Sequence, residues 1–443
     1  MASKRHVIVG GGTAGWNAVT TIREIDGGES SIVLVSDENP YSRMVLPYYL
    51  AQEIGESHIF TAGESRLEEL GVETRFGRRA VGLNPNDNKL ILDDNEEIAY
   101  DDLLIATGSS ALRPPIPGAE GPGVHSFWTL NQAREVADGL KLGTRVAMIG
   151  AGFISFTILN ALVKRGAELT IVEIAPRILP RMVDDMGARI IQAWLEERGV
   201  TIMAGVEVTA IEGCLGGEKV VKLKEGEDIE ADLVIMATGI KTNLDWLEGS
   251  GIEVNQGIVV NDHLRSSESN VYAAGDVAEG PNCVTEAKAV HAIEPTAMEH
   301  GRVVGANMAG VNTVYSGSLL MNIVDVLDLE IASFGSWDDI DAETSEAVQT
   351  DRPAYRKLLF RGGRLVGAII LGKTRDIWNT NDVGMLKGLV QTGCDLSEWK
   401  DHLKSNPFDI KRAYLAAGAA GELIPQTLLG RRSLPERDIA LSS

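Results

Sequence analysis

The apolar positions near the start of the chain fall into short runs, each followed by a turn and then by residues spaced for a helix. Arg5–Val9 (RHVIV) is the first such run. It leads into Gly10-Gly11-Gly12-Thr13-Ala14-Gly15, and Trp16 to Ile25 then has the spacing of a helix. Ser31–Val35 (SIVLV) is the next strand-like run and ends in Ser36-Asp37-Glu38. This order predicts a βαβ unit with G-x-G-x-x-G at its first turn and an acid about 20 residues on. Gly10 permits the tight turn, Gly12 lets backbone approach a pyrophosphate, and Gly15 lets helix and strand pack closely. The helix N-terminus then favours phosphate charge. Asp37 and Glu38 are the two alternatives for bonding a ribose.

The pattern recurs in the middle of the chain. Arg145–Ile149 (RVAMI) precedes Gly150-Ala151-Gly152-Phe153-Ile154-Ser155, a helical stretch to about Arg165, and a strand, Glu168–Val172, that ends at Glu173. A carboxylate at Glu173 bonds a ribose 2′-hydroxyl and repels a 2′-phosphate, so NADH is expected over NADPH, with Arg177 the one residue nearby that favours NADPH. Ser155 stands where the third glycine would be, so helix and strand are expected to sit farther apart there. Two dinucleotide-binding turns in one chain point to hydride transfer between nicotinamide and flavin.

Elsewhere the patterning predicts a helix over Met182–Gly199, strands around Val206–Ile211 and Lys219–Leu223, and a turn at Cys214-Leu215-Gly216-Gly217. Beyond Gly310, strands are expected at Glu330–Phe334, Arg356–Phe360 and Leu365–Leu371, and helices near Asn381–Val390 and Asp395–His402.

Composition narrows the function classes. The chain has 443 residues, a prior of about three domains. Its 41 Lys and Arg against 63 Asp and Glu leave a net charge of −22, which argues against a nucleic-acid partner. No apolar run is long enough for a spanning helix, and the N-terminus lacks the pattern of a signal peptide. The three cysteines, Cys214, Cys283 and Cys394, are far apart, with no metal-ligand spacing, and a reducing cytoplasm suits them. From Lys404 to Arg437 the balance turns locally basic, through Lys404, Lys411, Arg412, Arg431, Arg432 and Arg437 against Asp409, Glu422 and Glu436. Such a tail is either a packed extension or a docking arm for an acidic partner or neighbouring subunit.

Further segments match a family in its own order. Ala106-Thr107-Gly108 follows the strand Asp102–Ile105, Ala237-Thr238-Gly239 follows the second nucleotide unit, and Tyr272-Ala273-Ala274-Gly275-Asp276 comes next. With the two glycine turns, these resemble the FAD-dependent pyridine nucleotide–disulfide oxidoreductases over residues 5–310. The resemblance implies an α/β fold with two Rossmann-like dinucleotide-binding domains, the NAD domain inserted in the FAD domain, and a C-terminal α+β domain. It places FAD-binding segments at 1–111 and 246–312, the NAD(P) module at 112–245, and an interface domain with the basic tail at 313–443. It makes Asp276 a flavin ligand, lets Gly275 admit phosphates, and sets the helix beginning at Glu294-Pro295-Thr296-Ala297 against the flavin pyrimidine. The Pro40-Tyr41-Ser42-Arg43 segment is similar to the rubredoxin reductase, ferredoxin reductase and nitrite reductase flavoprotein branch, in which Arg43 lies along the FAD and Pro47 follows.

Two departures shape the expected chemistry. The reactive cysteine of the disulfide enzymes aligns with Met44, and a thioether forms no mixed disulfide. A glutamate that pairs with a lysine near the flavin in many relatives is Thr157 here, and no lysine lies between Pro40 and Leu50. Tyr48 and Tyr49 are the nearest candidates for an acid, with core packing the expected role of both. The implied activity is oxidation of NADH through FAD, with electrons passed to a protein carrier or partner subunit. A small-molecule reductase acting on a quinone, an activated alkene or oxygen is the alternative, with a non-catalytic FAD- and NAD-binding subunit behind it. A homo-oligomer is expected.

Overall fold

Arg5–Val9 lies at the centre of a five-stranded sheet with parallel neighbours on both sides. In spatial order its strands are Val271–Ala273, Asp102–Ile105, Arg5–Val9, Ser31–Ser36 and Val72–Phe76. Val7, Ile8, Val33, Leu34, Leu103 and Leu104 are fully buried. A parallel sheet covered on both faces needs continuous apolar strands rather than alternating ones, which is what these segments carry. The computed structural model describes residues 4–213, 217–285, 287–349 and 352–422.

Helix Thr13–Asp26 packs along helix Glu294–Met308. The approach is close because Gly301 and Gly305 face the first helix: a Cβ at Gly301 would sit 2.2 Å from the Ala14 carbonyl oxygen. This contact and the strand Val271–Ala273 bring a late part of the chain back to the first nucleotide unit.

A second parallel sheet follows the order Thr201–Ala204, Glu168–Glu173, Arg145–Ile149, Leu233–Met236 and Val124–Ser126. A two-stranded antiparallel ribbon, Ser109–Ala111 with Ile240–Thr242, joins the segments that pass between the two sheets. The third large sheet is antiparallel, in the order Met321–Val326, Leu329–Gly335, Arg364–Lys373, Ala354–Arg361 and Glu343–Gln349. Its Leu358, Phe360 and Ile370 pack with Leu386 and Leu389 of helix Ile377–Thr392, while Tyr355, Ile369 and Leu371 join the core of the nucleotide-binding layers.

Several expected elements shift. The helix expected at Asn381–Val390 runs from Ile377 to Thr392, because the Asp376 side chain caps it by accepting from the Trp378 N–H at 3.0 Å. The helix expected at Asp395–His402 is confined to Lys400–Ser405, since Asp395 accepts from the Ser397 N–H at 2.9 Å and holds a turn. The strand expected at Val206–Ile211 is Val208–Gly213. Strands Met321–Val326 and Glu343–Gln349 escaped the pattern because they lie at the two edges of their sheet and bury few side chains. Tyr48 is 55% exposed, against the expected core role, because it points outward from the one-and-a-half-turn helix Leu46–Leu50 whose Leu46 and Leu50 are buried. Of the basic tail, Arg431, Arg432, Glu436 and Arg437 lie outside the described residues, as do Cys214, Leu215 and Gly216. Helix Ile410–Ala416, which carries Lys411 and Arg412, is packed through Ile410 and Ala413. Among the described residues no helix is long and apolar enough to cross a membrane.

Candidate functional site

The first glycine turn is closed on one side and open on the other. Gly10 has φ +114°, and a Cβ there would meet the Ala106 carbonyl oxygen at 2.1 Å. A Cβ at Gly15 would lie 1.9 Å from the Gly10 carbonyl, whereas one at Gly12 would meet nothing within 4 Å. The turn therefore presses against the Ala106-Thr107-Gly108 crossing and leaves Gly12 facing open space at the N-terminus of helix Thr13–Asp26.

The second turn repeats the first with different side chains. A Cβ at Gly150 (φ +99°) would meet the Ala237 carbonyl at 2.4 Å, and Gly152 is open like Gly12. Ser155 is fully buried, and its Oγ donates to the Gly150 carbonyl at 2.5 Å. A side chain thus fits where Gly15 has no room for one, so the second helix stands farther from its turn.

The strand ends match as well. Ser36 Oγ accepts the Gly11 N–H at 3.2 Å, and Glu173 Oε2 accepts the Ala151 N–H at 2.6 Å. Glu173 also accepts from the Ala175 N–H at 2.8 Å and is buried. In the first unit the acids come one and two residues later. Asp37 turns to Arg79 at 2.8 Å, while Glu38 accepts from the Tyr41 hydroxyl at 2.9 Å and lies 3.9 Å from Arg43. Arg177 donates to the Val183 and Pro180 carbonyls and pairs with Asp185 at 3.2 Å.

Arg43 connects several expected site residues. Its guanidinium lies 5.4 Å over the Trp128 ring, and its Nε is buried without a partner. Asp276 accepts from Ser109 Oγ at 2.5 Å; burial pushes its carboxyl above the usual range, while Ser109 and the Arg43 charge pull the other way. Gly275 (φ +73°) lies between the two packed helices, with a Cβ there 3.3 Å from Ala14 and 3.5 Å from Ala297. The Gly275 N–H donates to Nδ1 of His300, whose pKa is pushed down to about 3 by complete burial. A neutral imidazole is what this bond requires, since a protonated ring has no acceptor. Pro47 is half-buried in the first turn of helix Leu46–Leu50.

The crossings are tied to each other. Thr107 Oγ1 donates to the Asn243 carbonyl at 3.1 Å, and the Asn243 amide donates back to the Thr107 carbonyl at 2.9 Å. Thr238 Oγ1 donates to the Leu112 carbonyl at 2.6 Å. Gly108 and Gly239 both have positive φ and open space where a Cβ would point.

Ser36, Ser109 and Trp128 were given no role from the sequence, and Glu294 was placed only as part of the segment set against the flavin pyrimidine. Glu294 Oε1 accepts from Ser42 Oγ at 2.5 Å and from Thr13 Oγ1 at 3.2 Å, which joins the first turn, the Arg43 loop and the late helix. An acid beside Pro295 at a helix start was the available signal for it. Thr157 Oγ1 donates to the Ile154 carbonyl of its own helix at 2.7 Å. Open backbone at Gly12 and Gly108 and the orphaned Arg43 Nε fit a large anionic cofactor, Asp276 is an acceptor for a hydroxyl group of it, and the open Gly152 fits a second dinucleotide.

A family model described as pyridine nucleotide-disulphide oxidoreductase matches residues 4–290. The chain belongs to this family. These oxidoreductases use FAD and NADH, which accounts for the two turns. The family's eponymous disulphide chemistry has no counterpart at Met44, and Cys283 and Cys394 are unpaired. A second model, the rubredoxin NAD+ reductase C-terminal domain, matches residues 321–382 within the antiparallel sheet and its helix.

Among curated proteins, the chain is 30% identical to the NADH-dependent phenylglyoxylate dehydrogenase subunit epsilon of Aromatoleum evansii, covering 93% of this chain and 97% of that one. It is 28% identical to the assimilatory nitrate reductase electron transfer subunit of Bacillus subtilis over 85% of this chain, but spans only 48% of that protein. A solved complex of putidaredoxin reductase with putidaredoxin has the same fold, with a TM-score of 0.85 at 22% identity, covering 95% of this chain and 100% of that one.

Proposed function

We propose that this pyridine nucleotide oxidoreductase oxidises NADH through FAD and passes the electrons to an external protein, either a carrier or a partner subunit. The observation that carries this reading is Met44, which replaces the internal thiol acceptor beside two glycine-rich nucleotide turns. Electrons that have no internal disulphide to reduce must leave the chain. The relatives, an electron transfer subunit and a dehydrogenase subunit, support an acceptor on another polypeptide.

When bound, FAD accepts a hydride from NADH and can release electrons one at a time. The chain's own residues supply position and charge. In this reading Gly10, Gly12 and Gly15 admit the FAD pyrophosphate to the first helix N-terminus, and Glu38 rather than Asp37 meets the ribose. Arg43, Pro47, Ala106, Thr107, Gly108, Gly275, Asp276 and Ala297 line the remainder of the FAD. Gly150, Gly152, Glu173, Thr238 and Gly239 serve NADH, with Glu173 opposing a 2′-phosphate. The domain limits are 1–111 with 246–312 for FAD, 112–245 for NADH, and 313–443 for the interface domain, a division supported by the three large sheets. A homo-oligomer working in the cytoplasm completes the reading.

The test is anaerobic reduction by NADH followed by rapid mixing with a one-electron protein carrier, a quinone or oxygen. Re-oxidation at least tenfold faster by the carrier supports the proposal. Faster re-oxidation by quinone or oxygen would replace it with a small-molecule reductase.

A further inference from the structure

The antiparallel sheet carries a cavity of about 610 Å³ at the end of its Ala354–Arg361 and Arg364–Lys373 strands, closed by helices Ile377–Thr392 and Ile410–Ala416. It shares no lining residue with either glycine turn. Strand alternation explains why it faces away from them. Tyr355 and Lys357 reach Asp184 beside the second nucleotide unit, at 2.8 and 3.0 Å, and Arg356 points to the opposite face.

The lining is strongly cationic on an acidic protein. Three carboxylates line the cavity, and each already has a guanidinium: Asp382 takes Arg356 at 3.0 Å, Asp376 takes Arg352 at 3.4 Å, and Asp409 takes Arg412 at 3.1 Å. Lys373, Arg375 and Lys411 also line it, with no carboxylate in ion-pair range among the described residues. The Lys373 ammonium lies 5.8 Å over Trp194 and the Arg375 charge acts on Asp325, so Lys411 brings a charge to this space that no carboxylate among the described residues pairs.

Its floor holds polar groups that nothing in the chain satisfies. Arg356 is 3% exposed, and its Nε has no partner. Asn379 is 2% exposed, and neither its amide nitrogen nor its amide oxygen is bonded. A buried guanidinium N–H and a buried amide left without partners cost stability unless a ligand or water completes them. Two flat apolar surfaces lie beside these groups: Phe408, with the Arg356 guanidinium 4.9 Å above it, and Trp378, 62% exposed with Lys411 6.0 Å away.

We infer that this cavity is a second ligand site, built for a small aromatic oxyanion, a phosphate or carboxylate on a flat ring. The oxyanion meets Arg375, Lys411 and the buried Arg356, while the ring lies against Trp378 or Phe408. A guanidinium matches either oxyanion through paired N–H groups, which an ammonium alone does not do.

The test is calorimetry on the full-length FAD-loaded protein in saturating NAD+, so that the dinucleotide site is filled. The probes are phenyl phosphate, benzoate, inorganic phosphate and phenol. The expected result is saturable binding of phenyl phosphate or benzoate at one per chain, at least tenfold tighter than phenol or inorganic phosphate. The tighter of the two aromatic anions identifies the oxyanion. The surface variant Arg375→Ala/Lys411→Ala should weaken that binding at least tenfold at unchanged thermal midpoint, and Trp378→Ala or Phe408→Leu should weaken the aromatic anion but not inorganic phosphate. Absence of saturable binding by both aromatic anions would overturn the proposal, as would an affinity unchanged in the double variant. Equal affinity for inorganic phosphate would overturn the aromatic part.

Discussion

Glu173 accepts the backbone N–H of Ala151 at 2.6 Å, so the acid at the end of its strand is fastened to the turn that it serves. Its charge is held at a fixed place beside the open Gly152. Replacing it with glutamine keeps an acceptor for Ala151 and removes the negative charge. Glu173→Gln should raise the NADPH-to-NADH ratio of kcat/KM by about tenfold, corresponding to about 1.4 kcal/mol. Steady-state kinetics with both nucleotides check this, and an unchanged ratio would remove Glu173 from cofactor selection.

His300 predicts an acid-sensitive fold. Its folded-state pKa, about 3, lies below the ordinary histidine value, so the unfolded chain takes up the proton first. Stability is therefore fully present above about pH 6.5 and is lost as pH falls from there toward 3. At pH 5 the cost is about 2 kcal/mol. His300→Gln, with no ring to titrate, should show a shallower loss of urea stability between pH 7 and pH 5. Equal losses in the two proteins would contradict this.

Asp184 joins the second nucleotide unit to the antiparallel sheet. It caps helix Asp185–Glu196 through the Gly187 N–H at 3.0 Å and also meets the Tyr355 hydroxyl and Lys357. Burial pushes its carboxyl up, but these hydrogen bonds and the Lys357 charge outweigh it and leave the pKa below the usual value. Its contribution is present above about pH 4 and is lost as pH falls through the lowered value. Asp184→Asn should cost about 1–3 kcal/mol at neutral pH and progressively less in acid, as measured by urea denaturation at pH 7 and pH 3.5.

Arg43 has a buried Nε with nothing to bond and a side chain poised between Glu38, Trp128 and Asp276. Arg43→Ala should weaken FAD binding by about tenfold or more, as expected for a lost charge-assisted hydrogen bond. Fluorescence titration of the apoprotein with FAD measures it. Arg43→Lys should recover only part of the loss, since one ammonium does not replace a planar guanidinium.

The two nucleotide units were legible because their chemistry is local: strand, glycine turn and helix follow one another within thirty residues. The Gly10 and Gly150 turns needed no distant partner to be recognised. Ser36 was missed because its role depends on the register of Ser31–Ser36 against Arg5–Val9, which places it beside Gly11. Glu294 was missed as a junction because Thr13 and Ser42 reach it only after two remote segments are packed together. The edge strands Met321–Val326 and Glu343–Gln349 expose much of their surface, and pairing rather than periodicity defines them. The cavity beside Arg356 was equally hidden, since its strands and helices converge only in the folded domain.

Everything above turns on this chain taking electrons from NADH onto a bound flavin. Anaerobic stopped-flow mixing of the FAD-loaded protein with NADH tests it directly, by the absorbance of oxidised flavin near 450 nm. NADH should bleach it rapidly, and NADPH at least tenfold more slowly. A protein that stays yellow with both nucleotides would contradict it.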